Sequence, residues 1–201
     1  MIQSAKAPDQ TRRTLLDAAF GEIHRNGFQA ASLAQILADT ALTKGALYHH
    51  FPDKKALGLA VVDEVIAPML GAMMVEPLEG TREPLTALQA LLAAKAAEDD
   101  PYPVRLGCPL NNLIQEMSPI DEDFRVRLNT IFQAWVDAIA DALAREQAAG
   151  DVRADVDAAS TAFFIVSALE GCVGMSKNTQ SVAAYRSCLG QLSRFLDTLR
   201  P

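Results

Sequence analysis

The run TKGALYHHF at residues 43–51 concentrates groups that can bind a phosphate. A threonine in its first position can cap a short helix, whose free backbone N–H groups and dipole favour an anion. The residues able to approach a phosphate or a base edge are Thr43, Lys44, Gly45, Tyr48 and His49. Leu47 and Phe51 are spaced to pack inward and hold the helix in place. In isolation these residues would also suit an ordinary amphipathic turn, so the surrounding elements must decide.

The elements before this run have the spacing of a helix-turn-helix. Apolar residues recur on one face of a helix that begins near Thr11 and ends at Asn26-Gly27. Ser32 predicts the start of a second helix, with Gln35 reaching back as a capping box. Three short helices therefore fit before the break at Pro52, and the last of them would enter a DNA major groove.

Charge is unevenly distributed along the chain. The whole sequence has a formal net charge of −7, which by itself argues against nucleic-acid binding. Residues 1–55 hold seven basic and five acidic residues, whereas the remainder holds 11 basic and 20 acidic residues. A basic head that meets a polyanion, joined to an acidic body that does not, would have this distribution.

Taken together, these residues resemble the N-terminal module of the TetR family of transcriptional repressors. The matching residues are Thr11, Leu15, Ala18, Phe20, Gly27, Ser32, Ile36, the run 43–54 and Leu57. The resemblance implies contacts to double-stranded DNA from Ser32, Thr43, Lys44, Gly45, Tyr48, His49 and Lys54. The turn before the recognition helix departs from the family, since Ala41 stands where glycine is usual. A left-handed Ala41 would cost about 1 kcal/mol.

The rest of the chain has helical periodicity and no alternating strand pattern. Helices are predicted at 54–74 with a kink at Pro68, and at 83–98, 108–117, 121–149, 155–175 and 180–199. We therefore expect an all-α protein of about nine helices. A helix-turn-helix domain at 1–53 precedes a bundle at 54–201 for ligand binding and dimerisation, and helix 54–74 links the two. Helix 155–175 is apolar on most of its circumference, which favours a homodimer formed with 180–199 over the core helix of a monomer.

The three cysteines are an odd number at wide spacing, which predicts reduced thiols rather than disulfides or a zinc site. Cys108 lies at a predicted helix N-terminus near Arg105, where the dipole would lower the pKa of the thiol. This position is similar to the electrophile-responsive, N-ethylmaleimide-type repressors of the TetR family, in which such a cysteine senses reactive species. A small residue packed against a neighbouring helix is the alternative. Cys172 and Cys188 are interpreted as core residues.

The resemblance also implies a pocket for a small-molecule effector in the body. The large or polar residues expected on inward faces are Met73, Cys108, Asn111, Asn112, Gln115, Phe132, Trp135, Phe164 and Glu170. Core packing alone would also account for each of them. No catalytic or cofactor motif is present, and no metal site is expected, because His49 and His50 would point about 100° apart on a helix.

The first ten residues are polar and lack the apolar stretch of a signal peptide, and charged residues and a proline interrupt the apolar run 61–74. We therefore expect a cytoplasmic protein without a membrane span. The predicted function is a ligand-responsive repressor that binds a palindromic operator as a homodimer and is released by a small-molecule inducer. Two alternatives remain: an all-α carrier or bundle enzyme that does not bind DNA, and an activator or redox sensor acting through Cys108.

Overall fold

The computed structural model describes residues 6–81, 83–99 and 102–201, so the polar N-terminus lies partly outside the described residues. Among these residues every regular element is a helix, which confirms the prediction of an all-α protein. The helices are α1 (Lys6–Asn26), α2 (Leu33–Ala38), α3 (Lys44–His50), α4 (Lys54–Val61), α5 (Ala67–Leu70), α6 (Pro84–Ala97), α7 (Tyr102–Leu106), α8 (Pro109–Met117), α9 (Glu122–Ala149), α10 (Ala158–Thr179) and α11 (Val182–Asp197).

Side-chain caps fix where several helices begin. The caps are Ser32, Thr43, Asp53, Asp157 and Ser181, and each accepts a hydrogen bond from the backbone N–H three residues further on. A cap of this kind satisfies a backbone donor that has no partner within the helix. The sequence places a capping residue at each of these starts, so local chemistry sets the boundaries.

The region predicted as a helix kinked at Pro68 is one helical run, Lys54–Leu78, whose winding changes along its length. Between α4 and α5 lies a π-helical turn (Val62–Ile66), and after α5 come a second π-helical turn (Gly71–Val75) and a 3-10 turn (Glu76–Leu78). Proline has no N–H for the helical ladder, and a locally wider turn is one way to accommodate that loss.

The chain divides into two compact units. Unit 1 combines the residues up to Met69 with Asn112–Asn129, and unit 2 combines Leu70–Asn111 with Thr130–Pro201. These compact units do not coincide with the predicted domains 1–53 and 54–201. The functional boundary between residues 53 and 54 stays a prediction.

In unit 1, α1 packs against α2, α3 and α4. The fully buried side chains of this core include Leu15, Leu16, Ile36, Leu47, Phe51, Leu57, Phe124 and Leu128. Ion pairs join α1 to the helical run Lys54–Leu78, and join that run to α9 and the residue before it: Arg12 with Glu64, Lys55 with Asp121 and Asp123, and Arg127 with Asp63. The segment 112–129 is therefore part of the framework that carries the helix-turn-helix.

In unit 2, α11 packs against α6 and α10, and α10 also packs against α7. Its buried side chains include Leu85, Trp135, Ile139, Leu143, Val166, Tyr185 and Leu189. Glu146 is also buried, and both of its carboxylate oxygens lie 3.3 Å from the backbone nitrogen of Leu85. That carboxylate takes the place of a side-chain cap at the start of α6.

The structure corrects the expectation that all three cysteines are reduced. Cys172 on α10 and Cys188 on α11 form a disulfide, with their Cα atoms 5.5 Å apart, whereas Cys108 is free. The two cysteines are 16 residues apart in sequence, and the reversal of the chain between α10 and α11 brings them side by side. Spacing alone does not reveal this pairing, because it depends on where the helix hairpin turns.

Two helical runs are long and apolar enough to cross a membrane by length and composition, Lys54–Leu78 and Ala158–Thr179. Each is one third buried, and interior helices of water-soluble proteins also meet these two criteria. The absence of a membrane span therefore stays a prediction.

Candidate nucleic-acid interface and effector site

Helix α3 is held by two buried side chains and capped at its first turn. Leu47 and Phe51 are buried in the core of unit 1, as the sequence predicted. The hydroxyl of Thr43 accepts a hydrogen bond of 3.2 Å from the backbone N–H of Ala46. The guanidinium of Arg12 lies 4.5 Å from the centre of the Phe51 ring and also pairs with Glu64. One face of α3 is thereby fixed, and its opposite face is left to solvent.

The solvent face of α3 carries the residues proposed to contact DNA. Thr43, Lys44, Gly45, Tyr48 and His49 are all exposed, and 52% of the Tyr48 surface is accessible. A Cβ atom on Gly45 would meet only the Thr43 hydroxyl, at 3.7 Å, so this glycine leaves open space beside the helix. Small residues at the start of a helix allow another molecule to approach the backbone closely.

The turn between α2 and α3 is built without left-handed strain. Among the described residues, Gln180 is the one non-glycine residue with a positive φ, so Ala41 does not carry the cost expected of a left-handed alanine. The Thr40 hydroxyl donates to the carbonyl of Leu37 at 3.1 Å and accepts from the N–H of Leu42 at 3.2 Å. This side-chain turn provides the reversal for which a glycine is usual in the family.

The start of α2 differs in detail from the predicted capping box. The Ser32 hydroxyl does accept from the N–H of Gln35, at 3.4 Å. The Gln35 side chain, however, donates to Asp39 instead of reaching back. The backbone N–H of Ser32 donates instead to the buried carboxylate of Glu22, at 3.2 Å. The capping box was therefore wrong in its second half, because a carboxylate from α1 already occupies that position.

Most cations of the first 55 residues are paired within unit 1, so the sequence count overstates the positive charge available to DNA. Arg12, Arg13, Arg25 and Lys55 all form ion pairs with carboxylates. Lys54 donates to the backbone carbonyl of Gln29 at 2.9 Å and lies 4.9 Å above the Phe28 ring. Lys44 has no ion pair within the described residues and projects from the exposed start of α3. Lys44 thus offers a positive charge without an ion pair among the described residues at the first turn of the recognition helix.

Comparison with known proteins identifies both parts of the chain. Residues 15–61 match the profile of bacterial regulatory proteins of the tetR family, and residues 84–192 match the tetracyclin repressor-like C-terminal domain. The chain belongs to the TetR family. TetR-family proteins are transcriptional regulators rather than enzymes, and this chain has the helix-turn-helix with which they bind DNA.

Individual relatives agree with this assignment. The TetR-family chain is 31% identical to the transcriptional regulator AcuR of Cereibacter sphaeroides, over 79% of this chain and 74% of the relative. It is 26% identical to the transcriptional repressor DhaR of Mycobacterium sp. strain GP1, over 73% and 72% of the two chains. A TetR-family regulator from Cytophaga hutchinsonii has the same fold, with a TM-score of 0.85 over 98% of both chains at 19% identity. A regulatory protein TetR from Rhodobacter sphaeroides gives a TM-score of 0.80 at 25% identity, covering 92% of this chain and 97% of that one.

In the TetR-type C-terminal region, Cys108 faces a buried carboxyl group. The thiol and the Glu170 side chain form a hydrogen bond, and burial raises the pKa of Cys108 far above its ordinary value, with the charge of Glu170 acting in the same direction. Backbone N–H groups of Leu110 and Asn111 lower the thiol pKa, but they do not outweigh burial. The predicted lowering of this pKa at a helix N-terminus is therefore wrong. A thiol held protonated is a poor nucleophile, which disfavours an electrophile sensor at this position.

Glu170 is the most perturbed carboxyl group in unit 2. Burial raises its pKa from 4.5 to about 7, and the Cys108 thiol and nearby Lys95 only partly oppose this shift. Its Oε2 atom is buried without a hydrogen-bond partner, and so is the indole Nε1 of Trp135. The Lys95 ammonium reaches the sulfur of Met73 at 3.2 Å, and a thioether is a weak acceptor. Unit 2 thus contains interior polar groups whose hydrogen-bonding capacity is not used.

The other residues predicted to line an effector pocket are not all oriented inward. Phe164 is half exposed and packs edge-on against Phe195, at 4.8 Å between ring centres. Gln115 is exposed, and both it and Asn112 belong to unit 1. Phe132 packs edge-on against the exposed Phe163. The inward orientation expected for Phe164 and Gln115 is therefore wrong, because helical periodicity does not identify which apolar face is covered.

Sequence reasoning missed three carboxylates that bind backbone N–H groups of distant residues; two of them, Glu22 and Glu146, are buried, and Glu116 is half-buried. Glu22, Glu116 and Glu146 accept hydrogen bonds from Ser32, from Phe28 and Gln29, and from Leu85, respectively. The available signal was weak: each is an acidic residue beside apolar positions of a helix. Their partners lie 10, 87 or 88, and 61 residues away, which no local pattern reports.

Proposed function

We propose that this TetR-family protein is a ligand-responsive repressor that binds a palindromic operator as a homodimer and is released by a small-molecule inducer. The observation that carries the proposal is the recognition helix α3, whose inner face is anchored by Leu47 and Phe51 while its outer face stays free. One helix of seven residues contacts too few bases to specify a site. A two-fold dimer doubles the contacts and requires an operator of matching symmetry.

The DNA contacts divide into those that position the protein and those that read bases. Ser32, Tyr48 and Lys54 offer a hydroxyl, a phenol and an ammonium to phosphates, and the Lys54 ammonium has further N–H donors besides the one given to the Gln29 carbonyl. Thr43 and Lys44 lie on the exposed face of α3 where base edges would be read, His49 on the same face would bind mainly a phosphate, and Gly45 permits close approach. The proposed set is Ser32, Thr43, Lys44, Gly45, Tyr48, His49 and Lys54.

The homodimer would form through α10 and α11. Phe163 and Met175 on α10 are 54% and 69% exposed, although both are large and apolar. A Cβ atom added to Gly171 or Gly174 would have no neighbouring atom within 4 Å, so the same surface can admit another helix closely. Apolar exposure of this extent on one helix fits a covered interface better than a solvated surface.

The effector would bind in unit 2 and use the unpaired groups of Glu170 and Trp135. The free Oε2 of Glu170 can accept a hydrogen bond, and the Trp135 indole can donate one. Satisfying buried polar groups supplies binding free energy and specificity. Release from DNA requires that the effector bind the DNA-incompatible conformation more tightly than the operator-bound one.

The test is selection of genomic fragments by the purified protein at physiological salt, followed by footprinting on the best fragment. The proposal expects a two-fold symmetric footprint, a dimer in sedimentation, and affinity that falls steeply as salt is raised. Phe163→Asp should yield monomers and abolish footprinting, whereas Ile120→Asp, an equally exposed apolar residue outside α10 and α11, should do neither. A folded dimer that enriches no sequence would refute the proposal.

A further inference from the structure

The turn that joins α1 to α2 is held by a carboxylate from α8. The two oxygens of Glu116 accept the backbone N–H groups of Phe28 and Gln29, each at 2.8 Å. A Cβ atom on Gly27, which has a φ of +82°, would lie 2.9 Å from the same carboxylate. The turn therefore fits closely against Glu116, and glycine suits this position because its φ is positive and its missing side chain leaves room for the carboxylate.

The same turn is held from its other side. The Lys54 ammonium donates to the Gln29 carbonyl at 2.9 Å and lies above the Phe28 ring. The Phe28 ring packs on Phe124 of α9, at 4.7 Å between ring centres, and a Cβ atom on Gly58 would overlap it. We call the four residues that hold this turn, Lys54, Gly58, Glu116 and Phe124, the latch.

The latch connects the helix-turn-helix to α8 and α9 at the turn that precedes α2. The turn 27–32 leads directly into α2, and α2 leads into recognition helix α3. Hydrogen bonds from two amides to a carboxylate are charge-assisted, and such bonds are stronger and shorter than neutral ones. Without the carboxylate, the amides of Phe28 and Gln29 would need other partners, and the turn would be free to shift.

We propose that Glu116 is a positioning residue for DNA recognition: by fixing the turn between α1 and α2 against α8, it sets which half-site spacing the dimer accepts. This inference rests on the proposed operator binding. In a two-fold dimer each recognition helix is carried by its own framework, so looseness at the latch broadens the range of separations between the two helices. Adding one base pair moves a half-site by about 3.4 Å and turns it by about 34°. A dimer whose two recognition helices are held rigidly should bind the altered operator weakly, whereas a dimer with a loosened turn should lose less affinity.

The experiment compares wild-type protein with Glu116→Gln on the selected two-fold fragment and on copies with one central base pair added or removed. Glu116→Gln removes the charge with little change in shape, and Glu122→Gln is the matched control, because Glu122 is exposed and pairs with Arg125 on its own helix. For Glu116→Gln, the preference for native spacing should fall by about tenfold, which corresponds to about 1.4 kcal/mol. Amide exchange at Phe28 and Gln29 should accelerate, and the salt dependence of binding should stay unchanged. Glu122→Gln should match the wild type in each measurement.

Glu116→Asp provides a second variant if Glu116→Gln is too unstable to assay. It keeps the charge, but its carboxylate is one methylene further from the turn. Its preference for native spacing and its amide exchange rates at Phe28 and Gln29 should therefore lie between those of the wild type and Glu116→Gln. Unchanged spacing preference in a folded Glu116→Gln protein would overturn the proposal, and so would unchanged amide exchange. If the wild-type protein itself selects no two-fold site, the proposed function fails. If the wild-type protein selects a two-fold site and Glu116→Gln discriminates half-site spacing equally well, the proposed role of Glu116 fails while the proposed function stands.

Discussion

The two units treat their interior polar groups differently. In unit 1 the carboxylates of the buried Glu22 and the half-buried Glu116 accept hydrogen bonds from backbone N–H groups of the helix-turn-helix. In unit 2 Glu146 is used in the same way, but Glu170 and Trp135 each keep a buried polar atom without a partner. An unsatisfied buried group costs free energy, and in native proteins it points to a function or to a missing partner. The difference is what a rigid reader of DNA and a receptor for a variable ligand would require.

The largest expected effect is a loss of stability when the side chain that anchors α3 in unit 1 is truncated. Leu47→Ala removes a fully buried side chain from the inner face of α3 and should lower the free energy of unfolding by about 2–5 kcal/mol, measured by urea denaturation. Tyr48→Ala, at the exposed neighbouring position, should change it by about 0.5 kcal/mol or less. If Leu47→Ala cost as little as Tyr48→Ala, the inner face of α3 would not be anchored in the core of unit 1.

The disulfide predicts a second large effect, confined to unit 2. Reducing Cys172–Cys188 frees a loop of 16 residues in the unfolded chain and should lower stability by about 3 kcal/mol. Thermal unfolding with and without dithiothreitol measures the change. Cys188→Ser should be insensitive to dithiothreitol, and Cys108→Ser should respond as the wild type does. An equal response of Cys188→Ser would mean that the reductant acts elsewhere.

We expect Glu170 to make the free energy of unfolding of unit 2 depend on pH, an effect that unit 1 should lack. Its pKa is higher in the folded chain, at about 7, than the ordinary 4.5, because burial disfavours the charged form. Its contribution to stability is therefore fully present below about pH 4.5 and is lost as pH rises through about 7. Allowing for partial solvent access, wild-type protein should lose on the order of 2 kcal/mol between these limits relative to Glu170→Gln.

Urea denaturation at several pH values measures the Glu170 effect. Asp141→Asn, which changes an exposed carboxylate of α9, should follow the wild-type profile. Parallel profiles for the wild type and Glu170→Gln would show that Glu170 is not buried as a neutral acid. Glu170 would then not be an unsatisfied interior group that sets unit 2 apart from unit 1.

Sequence predicted unit 1 better than unit 2, and the reason is physical. Thr43, Leu47 and Phe51 form α3 through local capping and inward packing, which a short run of residues specifies. The Cys172–Cys188 disulfide and the hydrogen bonds of Glu116 depend instead on residues brought together by the fold. Likewise Phe164 looked like a core residue by periodicity, and its exposure follows from how α10 and α11 pair. Tertiary packing decides which face of an apolar helix is buried, and the local sequence does not show it.

The smallest expected effect concerns Tyr48, whose phenol is proposed to bind a phosphate. Tyr48→Phe removes one hydroxyl from an exposed side chain, so stability should stay constant while affinity for DNA falls about fivefold, equivalent to about 1 kcal/mol. A phosphate contact carries no sequence information, so the loss should be equal on the operator and on unrelated DNA. Tyr102→Phe, at an exposed tyrosine of unit 2, should bind both DNAs as the wild type does. A loss confined to the operator would place the Tyr48 hydroxyl at a base edge, and α3 would then read sequence with its middle as well as with its first turn.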